Sequence, residues 1–145
     1  MPDTINHEIH NCVQSLFDTL IDISEGYDLL VERADEDVRA VVQELASQHA
    51  EDINEIEKTA HAQGIELDRS GTAMSQVHKA AVKLRDLFTD IDHDALKAVA
   101  DGEENVIKRY DSVIKEMTAD NALCVVLTRQ RDQLHRKINQ ISETV

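Results

Sequence analysis

Leu96, Val99, Glu103, Val106, Tyr110, Val113 and Met117 follow one another at steps of three and four residues. That spacing returns side chains to one side of a helix with about 3.6 residues per turn, so the stretch reads as an amphipathic helix. One member of the seam is a carboxylate. Placing Glu103 among hydrophobes is costly unless a partner meets it. The stretch therefore predicts a helix and also poses a question: which residues elsewhere in the chain face Glu103.

The same spacing recurs along the chain. A first helix is expected from about residue 3 to 34, with the seam Ile5, Ile9, Val13, Leu16, Leu20, Ile23, Tyr27 and Leu30. No acid lies on that face; Asp18, Asp22 and Glu25 are expected on the other side. A second helix is expected to start at Asp35 to Asp37 and run to about Gln63 on Val38, Val41 or Val42, Leu45, His49, Asp52, Ile56 and Ala60, with Gly64 placed to end it. A shorter third helix is expected over 72–89, with Val77, Ala81, Leu84 and Phe88 inward and His78 at the edge. The Leu96–Met117 helix is the fourth. The fifth, about 121–142, uses Leu123, Leu127, Gln130 or Arg131, Leu134, Ile138 and Ile141, with Thr118 or Asp120 as its cap.

Four long helices and one short one predict an all-α, single-domain protein over residues 1–145: a ferritin-like four-helix bundle in which the short helix crosses over between two helical hairpins. About 18 residues of helix span roughly 27 Å, close to a bundle length. If the crossover runs the full length, Cys12 and Cys124 fall at the same end. Aromatics make up 3% of the chain, with four glycines and one proline, too few for a sheet protein.

Charge narrows the functional classes. A net charge of −14 repels phosphate backbones and anionic lipid, and no basic cluster interleaved with aromatics is present, which argues against nucleic-acid binding. No apolar run reaches the roughly 20 residues of a membrane span. Two distant cysteines without a CxxC read as free thiols of a cytoplasmic protein. No nucleophile motif or glycine-rich phosphate loop occurs. His7 with His10, and His61, read as exposed polar residues. Asp90, Asp92 and Asp94 read as capping residues, since the glycine and glutamate spacing of a calcium loop is missing.

Polar residues interrupt three of the long seams near mid-length: His49 and Asp52, Glu103, and Gln130 and Arg131. Mid-length positions of aligned helices share a layer, so these five should meet across the core. The first helix offers only hydrophobes there, with Ser24 at the margin, and Tyr27 and Tyr110 read as core residues whose hydroxyls find a polar partner. A di-iron bundle requires four carboxylates and two histidines on its inner faces. Here His49-x-x-Asp52 has the reversed order. Asp132-x-x-His135 has suitable spacing, but Asp132 points away from its seam. The preferred reading is a structural polar layer in which Glu103 and Asp52 are held by Arg131, His49 and Gln130. The alternative is a partial His/carboxylate metal site of His49, Asp52 and Glu103 taking Fe, Mn or Zn. No catalytic residue is assigned.

The order of short motifs resembles an uncharacterised bacterial family of ferritin-like four-helix bundles. The matching points are Asp22 to Tyr27 with its Gly26-Tyr27 pair, Gln63-Gly64, Ser70-Gly71, His78-Lys79, Gly102-Glu103, Tyr110, and His135 with Ile138. The resemblance implies a ferritin-like fold and a cytoplasmic bacterial protein, and no activity. Asp52 departs from the hydrophobe expected at its place. The resulting expectation is a non-catalytic bundle serving as an oligomeric stress or interaction protein. Leu29, Val125 and Val126 point off the seams as a face for a homo-oligomer.

Overall fold

The computed structural model describes residues 7–32, 34, 36–69 and 93–144. Within them are four helices: α1 (His7–Val31), α2 (Glu36–Ala62), α3 (His93–Ile114) and α4 (Ala122–Thr144). No strand occurs among the described residues. The expected short helix over 72–89 lies outside them, as do His78 and Asp90 to Asp92.

The seams are the core. Ile9, Val13, Leu16, Leu20, Tyr27 and Leu30 of α1 are buried, and so are Val38, Val42, Leu45, Ile53, Ile56 and Ala60 of α2. Leu96, Val99, Val106, Tyr110 and Val113 of α3 meet Leu123, Leu127, Leu134, Ile138 and Ile141 of α4 in the same cluster. Phe17 is also fully buried, although it lies off the α1 seam. Its ring carries the Arg69 guanidinium at 5.7 Å, a cation–π contact. Asp22, expected outside, is buried as well.

The principal packing pairs are α1 with α2, α3 with α4, α1 with α3, and α2 with α4. The helices therefore stand at the corners of a square, with α2 and α3 on one diagonal and α1 and α4 on the other. Cross-links give their directions. His10 of α1 meets Glu66 beyond the end of α2, while Tyr27 meets His49, so α1 and α2 are antiparallel. Glu44, Glu55 and Gln63 of the second hairpin arm pair in order with Lys137, Arg129 and Asn121, so α2 and α4 are antiparallel. A short turn makes α3 and α4 antiparallel in turn. Diagonal partners are consequently parallel, and the last residue of α2 and the first of α3 lie at opposite ends of the bundle. At 1.5 Å per residue these two points are roughly 33 Å apart along the bundle. Cys12 and Cys124, both free thiols, lie near the same end.

Local chemistry fixes the helix ends. Gly64 adopts φ 81°, which only glycine reaches without strain. Ile65 N–H then donates to Ala60 O at 2.9 Å and Gly64 N–H to His61 O at 3.0 Å, closing a Schellman motif with Ile65 buried beneath it. At the start of α4, Asn121 Oδ1 accepts from Leu123 N–H at 2.9 Å and Cys124 N–H at 3.4 Å. The cap is thus Asn121, one or more residues later than Thr118 or Asp120, because its carbonyl oxygen reaches both free amides. Gln63 donates to the same oxygen at 3.0 Å and ties this cap to the end of α2. The segment after Gly64 folds back onto α1, where Gln14 grips both backbone groups of Asp68, at 2.8 Å and 2.9 Å.

Candidate functional site

Glu103 of α3 lies at the centre of the square and is 0% exposed. Its Oε2 is 2.7 Å from Nε2 of His49 on α2, itself 1% exposed. The pair bridges the α2–α3 diagonal, so it runs through the middle of the bundle. With Glu103 as a carboxylate, Nε2–H of His49 is the donor, and Nδ1 lies on the other side of the ring. That Nδ1 has no hydrogen-bond partner.

Tyr27 of α1 closes the third side. Its ring stacks on the His49 imidazole with centroids 6.0 Å apart and planes at 25°. Burial pushes the phenol pKa well above its ordinary value, and the charge of Glu103 and hydrogen bonding towards it push the same way. Glu103 Oε1 has no hydrogen-bond partner among the described residues. The first helix thus brings a phenol to the layer as well as hydrophobes.

The fourth side belongs to α4. Gln130 is 0% exposed; its Oε1 accepts from Tyr110 Oη at 2.9 Å. Its Nε2 donates to Asp52 O at 3.3 Å and to Glu55 Oε1 at 2.9 Å. Tyr110 is fully buried, and burial, then the charges of Asp52, Glu103 and Glu55, raise its pKa well above the ordinary value. Asp52 is buried and accepts from Gln48 Nε2 at 3.0 Å. Burial raises its pKa, against the opposing pull of the Gln48 hydrogen bond and the His49 charge.

Of the five residues expected in one layer, the structure brings His49, Asp52, Glu103 and Gln130 inside and leaves Arg131 out. Arg131 is 29% exposed and donates to Asp111 at 2.8 Å and to Asp132. Neighbouring residues on a helix lie about 100° apart, so only one of Gln130 and Arg131 can face the core. The neutral amide takes that place, since a buried guanidinium costs far more to desolvate. Glu103 is therefore met by His49 and not by Arg131. Glu55 was not anticipated: it lies on the polar side of α2, yet it reaches Gln130 while also pairing with Arg129. Tyr27, an aromatic in the α1 seam one helix away from His49, was the available signal for the stacking.

The donor set does not suit a di-iron centre. Among the described residues, only His49 and Glu103 of the expected ligands bond to each other across the core. Among the described residues no group of three or more His, Cys, Asp or Glu is placed to hold a metal ion. Asp52 turns to Gln48, and α1 supplies a phenol where a carboxylate is needed. Asp132 and His135 are exposed on the outside of α4, where His135 lies 3.4 Å from the Asn139 amide. His10 and His61 bond Glu66 at the surface.

The family Domain of unknown function (DUF2383) matches residues 8–116. The chain belongs to that family. The matched region holds Tyr27, His49, Asp52, Glu103 and Tyr110, and it stops before α4, so Gln130 completes the layer from outside it. No curated protein and no solved structure gives a match. Among the described residues no helix is long and apolar enough to cross a membrane.

Proposed function

We propose that the protein is a non-catalytic, ferritin-like helical bundle that works as an oligomeric interaction or stress protein. A buried polar layer takes the place of a complete di-iron site. The parallel diagonal and the long return between α2 and α3 support the ferritin-like reading. One observation carries the functional reading: the His49–Glu103 bond is closed on itself at the bundle centre. A catalytic or storage site requires ligands with open positions and a path for its substrate. Here His49 Nε2 and Glu103 Oε2 are taken up by each other, and neither residue is reached by solvent. The layer's role is to fix which helix faces meet, since any slip in register strands a buried charge.

Titration of the full chain with Fe(II), Mn(II) and Zn(II), followed by calorimetry and thermal melting, tests this. The expected result is no stoichiometric uptake and an unchanged Tm. A site filled to about 100 times its Kd would stabilise the fold by about 2.7 kcal/mol, a shift of several degrees. One equivalent of metal, lost in Glu103→Gln, would overturn the proposal.

A further inference from the structure

The outer face of α4 carries a stripe that the buried layer does not use. Val125, Arg129, Asp132 and Arg136 succeed one another at steps of four, three and four, so they line up along one side of the helix. All four are exposed, and Val125, at 54%, is the large hydrophobic most open to solvent among the described residues. Beside the stripe is an open groove of about 560 Å³ whose apolar wall is Ile114, Met117 and Cys124. Apolar groove, exposed valine and alternating charge thus share one surface.

We infer that this face binds a second copy of the chain, with two α4 helices packed antiparallel about a two-fold axis passing between Arg129 and Asp132. The charge order is what selects this partner. The two-fold sets Arg129 of each copy opposite Asp132 of the other, giving two reciprocal ion pairs from one self-complementary sequence. It also sets Val125 opposite Arg136, whose aliphatic stem can cover the valine and the groove while its guanidinium continues towards the acidic turn bearing Glu116 and Asp120. A parallel arrangement fails: it would place Arg129 against Arg129 and Asp132 against Asp132. Both central residues have intrachain partners, Glu55 for Arg129 and Arg131 for Asp132. A guanidinium with five donors and a carboxylate with two oxygens accommodate a second partner each. Because the interface is one helix wide, the dimer is a weak, salt-sensitive one.

The face is narrower than the one expected from Leu29, Val125 and Val126. Leu29 and Val126 are half-buried. Leu29 sits on α1, diagonal to α4, and roughly 20 Å further along the bundle than Val125 by helix rise, so the three do not form one patch.

The inference deepens the reading as an oligomeric interaction protein, and its test is separate from metal titration. Sedimentation of the full chain over roughly a hundredfold range of concentration should show a monomer–dimer equilibrium that weakens with added salt. Arg129→Asp and Asp132→Arg should each weaken it at least tenfold, with circular dichroism confirming the fold. The double variant restores the opposite charges and should recover dimerisation, and an equimolar mixture of the two single variants should form the mixed dimer. A chain that stays monomeric throughout, or a dimer indifferent to both charge reversals, overturns the interface. Either outcome leaves the non-catalytic reading to its own metal test.

Discussion

Replacing Glu103 by leucine tests the central bond most directly. The substitution removes the carboxylate that His49 uses and leaves a buried N–H with nothing to bond. An orphaned buried donor costs roughly 1–3 kcal/mol, so Glu103→Leu should lose about 2 kcal/mol. His49→Leu strands the carboxylate instead, an outcome worth about 3 kcal/mol at the lower end for a broken buried pair. The double variant buries no orphan of this pair. It keeps only the misfit of two new side chains and the lost stacking on Tyr27, about 2 kcal/mol. The singles sum to about 5 kcal/mol against about 2 for the double, a coupling near 3 kcal/mol, at the upper end for directly interacting pairs. Urea denaturation at neutral pH, followed by circular dichroism, resolves differences of that size. If the double variant loses the sum of the singles within about 0.5 kcal/mol, the two groups do not act on each other and the account of the layer fails.

Further expectations follow from the same contacts. Arg131→Met should cost under about 1 kcal/mol, as for a surface ion pair; a loss comparable to that of Glu103→Leu in the same denaturation assay would place the guanidinium in the core. Asn121→Ala should cost about 1 kcal/mol through loss of the α4 cap, and amide exchange at Leu123 and Cys124 should accelerate. Gly64→Ala should cost about 1 kcal/mol, because its positive φ strains any other residue even where space is open. Asp52 has a folded pKa above its ordinary value of 3.8. The native state therefore holds this proton more tightly than the unfolded chain, and stability falls as pH rises from near 3.8 through the higher folded value. Asp52→Asn, which still accepts from Gln48, should therefore be more stable than the parent at neutral pH. That advantage should vanish on acidification, and an advantage independent of pH would rule out the linkage.

Much of this fold is legible in the residue spacing, and the limits of that legibility are physical. Periodicity locates which face of each helix is buried, and it placed His49, Asp52 and Glu103 inward, with Gln130 or Arg131. It has a resolution of about one residue, too coarse to choose between Gln130 and Arg131; desolvation makes that choice. Periodicity also says nothing about which helices are adjacent. The placement of α2 diagonal to α3, which gives Glu103 to His49, depends on packing of the whole bundle. Asp22 shows the converse failure, an acid off the α1 seam that is buried nonetheless. The grip of Gln14 on Asp68 joins residues 54 positions apart by backbone bonds that any side chain at 68 would offer, so the sequence carries no mark of it.

The square arrangement also bears on the order of assembly. The α1–α2 and α3–α4 hairpins are each built from contacts close in sequence, whereas His49–Glu103 and Gln130–Glu55 join residues 54 and 75 positions apart. Local contacts form before distant ones repay the closure of a long loop. The two hairpins can therefore collapse separately, and the His49–Glu103 and Gln130–Glu55 bonds form only when they dock. Interactions absent from the transition state act on the unfolding rate and leave the folding rate nearly untouched. The bond at the centre of the bundle thus governs how long the native state survives once formed, and the hairpins govern how quickly it is reached.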